Sequence, residues 1–81
     1  MEERKRLFFD CYNKAKSKAK YEPYWYKIKP TPLTMDDGRI INVEYVQPSY
    51  ISDAVLINYR TDGLSTEDMS KNELKQLLAI I

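Results

Sequence analysis

Between Gly38 and Arg60, apolar and polar residues alternate regularly, and this alternation predicts an antiparallel β-hairpin. Each arm of the hairpin has one apolar face and one mixed face. The apolar faces comprise Ile41, Val43 and Tyr45 in the first arm and Val55, Ile57 and Tyr59 in the second. We therefore expect a sheet that is covered by helices on one side and partly open to water on the other. The loop between the arms displays Tyr50 and Ile51, which either contact a partner or fold back to cap the sheet, and the sequence leaves both interpretations open.

Apolar residues recur at helical spacing both before and after this hairpin. Residues 2–20 repeat apolar side chains at helical intervals, with acids at the start and lysines at the end, an order that suits the helix dipole. The predicted packing face comprises Phe8, Cys11, Tyr12, Ala15 and Ala19, with Leu7 at its margin. Near the C-terminus, Ser70 and Glu73 have the spacing of a capping box, which predicts a helix over residues 71–80. The apolar face of that helix comprises Leu74, Leu77, Leu78 and Ile81.

A proline-bracketed aromatic segment joins the first helix to the hairpin. Because proline cannot donate a ladder hydrogen bond, Pro23 and Pro30 predict a short edge strand at residues 24–29 that stops at Pro30. Its two faces are Tyr24, Tyr26 and Ile28 on one side and Trp25, Lys27 and Lys29 on the other. Trp25 beside two lysines is typical of a protein hot spot and also of a base-stacking platform. A helix lying over Trp25, with the lysines reaching water, is the open alternative.

Together these patterns predict one α+β domain spanning residues 1–81. Its antiparallel sheet has strands at residues 24–29, 39–46 and 54–60, and it packs against an N-terminal helix at residues 2–20 and a C-terminal helix at residues 71–80. The Asp62-Gly63 turn is followed by residues 64–68, for which a brief connection is favoured and a fourth strand is the alternative.

Charge is unevenly distributed along the chain, although the net charge is only +1. Residues 1–33 contain nine Lys or Arg against four acids, a balance of +5. Residues 34–81 contain four Lys or Arg against eight acids, a balance of −4. Such polarity can steer a charged partner, or it can be satisfied within the domain, and the sequence leaves both interpretations open.

The sequence lacks the residues that most catalytic and metal sites need. It has no histidine, and its single cysteine cannot build a zinc site or an internal disulfide. The Asp36-Asp37-Gly38 motif predicts a turn, because a calcium loop aligned on Gly38 would have Leu33 and Met35 at ligand positions. We therefore expect no enzyme activity, no cofactor and no metal. With no apolar run of membrane-spanning length, we also expect a cytoplasmic location without a membrane partner.

These exclusions leave binding as the predicted function. We expect a small non-enzymatic protein-binding module, an adaptor, inhibitor or regulator of the accessory kind that viruses and mobile elements encode. Its predicted contact residues are Tyr24, Trp25, Lys27, Lys29, Tyr50 and Ile51. The alternative is a nucleic-acid-binding protein that uses the basic N-terminal helix and the edge strand. Its contact residues would be Arg4, Lys5, Arg6, Lys14, Lys16, Lys18, Lys20, Trp25, Lys27 and Lys29. A homodimer through the apolar C-terminal helix is a third hypothesis.

Overall fold

Two helices pack on one face of a four-stranded antiparallel sheet in the computed structural model, which describes residues 2–19, 26–58 and 64–81. The helices are α1 (Glu3–Lys18) and α2 (Lys71–Ile80), and a 3₁₀-helix covers Thr66–Asp68. The strands, in their order across the sheet, are β1 (Tyr26–Thr34), β2 (Ile40–Ser49), β3 (Ala54–Ile57) and β4 (Leu64–Ser65). The predicted α+β arrangement is confirmed. Residues 64–68 form a two-residue fourth strand and a helical turn, so the sheet has the fourth strand that the sequence left as the alternative.

One hydrophobic core joins both helices to the sheet. Its buried members include Leu7, Cys11 and Ala15 from α1, Leu74 and Leu77 from α2, and Leu33, Val43, Val46, Val55 and Ile57 from the strands. Because α1 packs against α2 as well as the sheet, it buries a wider face than the sequence predicts, and Leu7 lies inside the core instead of at its margin. Ile81 is also buried, so the apolar face of α2 lies within the core of its own chain.

β1 lies at one edge of the sheet, where its prolines predict it, but it is longer than expected. The strand continues through Pro30 and Pro32 to Thr34, so the prediction that Pro30 stops it is wrong. Proline is tolerated there because the outer side of an edge strand has no ladder partner to lose. At Thr34 this outer side is closed by α2. The Thr34 N–H donates to Oε1 of Gln76 (3.0 Å), and Nε2 of Gln76 donates to the Thr34 carbonyl (2.7 Å).

The pairing of β1 with β2 has a bulge between Lys27 and Thr31, and the β2 segment facing it is bound by Asn58 at the end of β3. The N–H groups of Glu44 and Tyr45 both donate to Oδ1 of Asn58, at 2.9 and 3.1 Å. Nδ2 of Asn58 donates in turn to the carbonyl of Asn42. Asn58 itself has a left-handed backbone with φ of 47°, a conformation that asparagine tolerates better than most residues. One buried side chain therefore satisfies three backbone groups of β2.

The alternation of β2 breaks where Asn58 binds it, and this changes which residues of β2 face the core. Two consecutive amides pointing to the same side shift the alternation of the strand by one residue. Val43 and Val46 are therefore both buried, while Tyr45 is 37% exposed on the other face of the sheet. The prediction that Tyr45 shares the core face with Val43 is wrong for this reason. β3 keeps the predicted alternation, with Val55 and Ile57 in the core.

A buried carboxylate connects the start of α2 to the β1–β2 turn. Oγ of Ser70 accepts from the N–H of Glu73 (3.3 Å), and Oε1 of Glu73 accepts from the N–H of Ser70 (2.8 Å), which confirms the predicted capping box. The second oxygen, Oε2, accepts from the N–H of Asp36 in the turn (3.0 Å). The turn needs its glycine, because Gly38 has φ of 92° while its N–H donates to the Met35 carbonyl (3.0 Å).

Candidate functional site

The loop that joins β2 to β3, residues 50–53, presents Ile51, which is 99% exposed. Local hydrogen bonds define the shape of this loop. Oγ of Ser49 accepts from the N–H of Ser52 (3.3 Å) and from the hydroxyl of Ser52 (3.0 Å). Asp53 takes a left-handed φ of 49°, which aspartate tolerates, and returns the chain to β3. Ile51 is therefore held out into solvent by an ordered turn.

Tyr50 attaches this loop to α1. Its ring centroid lies 6.5 Å from that of Tyr12 in an edge-to-face arrangement, and Nζ of Lys16 lies 5.7 Å from the Tyr50 centroid. Tyr50 remains 47% exposed. Burial raises the pKa of Tyr12, and the carboxylate of Asp53 raises it further. We refer to Tyr12, Lys16, Tyr50 and Ile51 as the loop patch.

The described residues among those predicted to bind protein lie in separate parts of the molecule. Tyr24 and Trp25 lie outside the described residues, so their contact role stays a prediction. Lys27 and Lys29 are exposed on β1. Nζ of Lys27 lies 5.9 Å from the ring centroid of its cross-strand neighbour Tyr45, on the sheet face opposite the helices. The structure therefore does not bring Lys27 together with the loop patch, which borders α1.

Two basic residues of α1 connect this helix to α2 and the segment before it. Arg4 donates through Nε to the carbonyl of Met69 (2.9 Å) and through Nη2 to the carbonyl of Glu67 (3.1 Å). Nζ of Lys14 donates to the carbonyl of Leu78 (3.1 Å) in the last turn of α2, where the helix dipole is negative. In the nucleic-acid hypothesis both cations contact phosphates, but here they bind backbone carbonyls of their own chain.

Three further cations predicted for nucleic-acid binding are exposed on α1. Lys5 and Arg6 point into solvent on the first turns of α1, and Nζ of Lys18 lies 5.5 Å from the ring centroid of Tyr26. Within residues 2–19, 26–58 and 64–81, none of these three cations forms a salt bridge. Lys20 lies outside the described residues.

Phe9 is a surface residue that the sequence reasoning missed. It is 44% exposed, and its ring stands edge-on to that of Phe8, with centroids 5.4 Å apart. Tyr12 was predicted as core, yet it is only partly buried and contacts the loop through Tyr50. The sequence does contain a signal for Phe9 as a surface residue, because this aromatic residue lies outside the apolar face of the predicted helix.

Cys11, the nucleophile candidate with the greatest intrinsic reactivity, is buried in the core. Its Sγ donates to the carbonyl of Leu74 (3.4 Å), and burial raises the pKa of the thiol to about 11, so it is not a nucleophile at neutral pH. Among the described residues, no three potential metal ligands lie together, and no helix has the length and apolar character to cross a bilayer. The sequence matches no protein-family model, and comparisons with curated proteins and with solved structures give no significant match.

Proposed function

We propose that this protein is a small non-enzymatic protein-binding module, an adaptor, inhibitor or regulator whose contact surface centres on the loop patch. The observation that carries the proposal is the full exposure of Ile51 beside Tyr50 on a loop that hydrogen bonds hold in shape. A single exposed apolar residue is ordinary on a protein surface. An isoleucine contiguous with a half-exposed tyrosine has the apolar and aromatic character of an interface centre.

The energetics favour Ile51 as an anchor residue. Transfer of a fully exposed isoleucine into a partner's pocket contributes about 1.5–3 kcal/mol. Because the loop is already ordered by Ser49 and braced by Tyr12, binding costs little further conformational entropy. The loop patch alone is smaller than the roughly 800 Å² per partner that a stable interface buries, so a partner also contacts neighbouring residues of α1.

Partner capture with two matched isoleucine variants tests the proposal. Wild-type protein, Ile51→Asp and Ile40→Asp are immobilised and exposed to nuclease-treated extract of the source cells. Ile40 is the control because it is also exposed, at 66%, but lies on β2 beside the β1–β2 turn. A protein retained by wild type and by Ile40→Asp should bind Ile51→Asp about 30-fold more weakly, the effect of about 2 kcal/mol at a hot spot. Equal retention by Ile51→Asp would contradict the proposal.

Nucleic-acid binding is the second candidate function, and one observation favours it. Three lysines stand within 6 Å of tyrosine ring centroids, in the pairs Lys16 with Tyr50 (5.7 Å), Lys18 with Tyr26 (5.5 Å) and Lys27 with Tyr45 (5.9 Å). Such pairs combine a cation for phosphate with a ring for base stacking. If this function holds, oligonucleotide affinity measured by fluorescence anisotropy should fall steeply between about 50 and 200 mM salt. No detectable binding at about 50 mM salt would eliminate it.

A further inference from the structure

A second apolar surface lies on α1 beside the loop patch. Arg4, Lys5, Phe8, Phe9 and Glu67 line an open notch of about 260 Å³ between α1 and the 3₁₀-helix. The rings of Phe8 and Phe9 form its apolar lining, and the Arg4 guanidinium is fixed by its hydrogen bonds to backbone carbonyls. The notch is therefore a preformed feature that does not depend on a mobile side chain at Arg4.

The notch and the loop patch lie along the same side of α1. At about 100° per residue, the side chains of Lys5, Phe9, Tyr12 and Lys16 fall within roughly 60° of arc on the helix, so they form one stripe parallel to its axis. The centre of the notch and the level of Tyr12 to Lys16 are separated by about two helical turns, or roughly 10 Å. The stripe continues through Tyr12 to Tyr50 and Ile51 on the loop.

The geometry of this surface matches a helix better than a small molecule or a strand. The notch is open and, at about 260 Å³, smaller than the usual range for small-molecule sites. A helix surface has no free ladder groups to pair with an extended peptide, because its N–H and C=O groups are bonded within the helix. At the β1 edge, where a strand would add, Pro30 and Pro32 offer no N–H and Gln76 already binds both backbone groups of Thr34.

The two walls of this surface carry opposite charges. Lys5 and Lys16 stand on α1, eleven positions or about 16 Å apart, and neither forms a salt bridge within the described ranges. On the opposite wall, Glu67 lines the notch and Asp53 lies close enough to Tyr12 to raise its pKa. A complementary helix would therefore carry acids on the flank that faces α1 and basic residues on the flank that faces the 3₁₀-helix and the loop.

We propose that the partner segment is an amphipathic α-helix that lies along α1, with one apolar side chain in the notch and a second, about two turns further on, against Tyr12, Tyr50 and Ile51. This inference rests on the proposed protein-binding function and specifies the chemistry of the partner. The spacing corresponds to apolar residues at positions i and i+7, with an intermediate residue at i+3 or i+4 over Phe9.

A peptide selection tests this inference without knowledge of the natural partner. Random peptides of about 16 residues, long enough for four helical turns, are displayed on phage and selected against the full chain at about 150 mM salt. Enriched peptides should show apolar residues at helical spacing with acids on one flank, and should gain helical circular dichroism on binding.

Variants of the protein then locate the bound peptide. Phe9→Glu should weaken binding of the synthetic peptide at least about tenfold, and Lys5→Glu should weaken binding of an acidic peptide more than Arg6→Glu does. Arg6→Glu is the matched control because it makes the same charge change on another side of α1.

Several results would overturn the inference. One is a failure to enrich any peptide, and another is enrichment of peptides without helical spacing. A third is that the peptide binds Phe9→Glu as tightly as it binds wild type, provided that a thermal melt shows that the variant is folded. Displacement of the peptide by a single-stranded oligonucleotide would assign this surface to nucleic acid instead. The two proposals fail separately. If capture of a natural partner requires Ile51 while no helical peptide requires Phe9, the helix inference falls and the binding function stands. If the peptide requires Phe9 but every captured protein also binds Ile51→Asp, Ile51 is not the centre of the contact surface, and a helix-binding surface at the notch stands.

Discussion

Replacement of Asn58 by alanine should destabilise this protein more than its position at the end of a short strand suggests. The side chain accepts from two adjacent N–H groups of β2 and donates to a third backbone group, and it is almost fully buried. Alanine would leave those part-buried backbone groups without that partner. It would also have to adopt φ near 47°, a conformation that favours asparagine or glycine over alanine.

The magnitude follows from these two effects. Three hydrogen bonds at a net value of about 1 kcal/mol each, plus about 1 kcal/mol for the left-handed backbone, give a loss of about 3–4 kcal/mol. An 81-residue chain has a total stability of roughly 4–12 kcal/mol, so this one side chain carries a large share of it. With an m-value of about 1 kcal/mol per molar urea, the unfolding midpoint should fall by about 3 M.

Asn58→Gly separates the two effects, because glycine also loses the hydrogen bonds but adopts positive φ without strain. In urea titrations monitored by far-ultraviolet circular dichroism, the free energy of unfolding of Asn58→Gly should be about 1 kcal/mol higher than that of Asn58→Ala and well below that of wild type. Two results would refute the reasoning. One is an alanine variant within about 1 kcal/mol of wild type, which would mean that this segment of β2 does not depend on the Asn58 side chain. The other is an alanine variant at least as stable as the glycine variant.

Two further predictions concern the sheet edge and the buried thiol. Gln76→Ala should lower the free energy of unfolding by about 1–2 kcal/mol, because Thr34 loses both edge hydrogen bonds. Light scattering should show more self-association of this variant than of wild type, and an unchanged scattering profile would contradict edge protection by Gln76. Burial raises the pKa of Cys11 from 9.0 to about 11, so the folded protein keeps the thiol proton at a pH where the unfolded chain loses it. The stabilisation from Cys11 is therefore present below pH 9 and is lost as pH rises through 11, which lowers the free energy of unfolding by about 2–3 kcal/mol in total. The free energy of unfolding of Cys11→Ala should therefore fall less between pH 9 and 11 than that of wild type. Parallel curves of unfolding free energy against pH for wild type and Cys11→Ala would disprove the raised pKa of Cys11.

The elements that could be predicted from the sequence are those whose signal is local. The capping box of α2 is one, since Ser70 and Glu73 meet within a single helical turn and need no other part of the chain. The glycine turn before β2 is another, because Gly38 supplies a φ that few residues adopt. The antiparallel sheet packed on two helices follows from the same local periodicities.

The features that escaped prediction depend on distant residues. The break in the alternation of β2 lies where Asn58, fourteen positions after Glu44, binds two consecutive amides of the strand, and periodicity alone cannot reveal such a contact from another part of the chain. The length of β1 reflects its pairing with β2 as far as Thr34, and Gln76 of α2 closes the outer edge beyond the prolines. The candidate site was found in part. Tyr50 and Ile51 were predicted from their loop, but their support by Tyr12 required the packing of α1.

The distribution of charge bears on the proposal that α1 contacts a partner. Residues 1–33 are basic and residues 34–81 acidic, and α1 and α2 are also joined by an ion pair in which Glu3 of α1 binds Lys71 (3.3 Å) and Lys75 (3.4 Å) of α2. That arrangement runs against the overall polarity, because an acid of the basic segment pairs with lysines of the acidic segment. Part of the positive charge of α1 also acts within the fold, since Nζ of Lys14 donates to the Leu78 carbonyl of α2 and Nζ of Lys16 lies over the Tyr50 ring. Lys5 and Lys16 nevertheless lie on the exposed stripe beside Phe9, where their charge faces solvent and would meet the acids of the proposed partner helix.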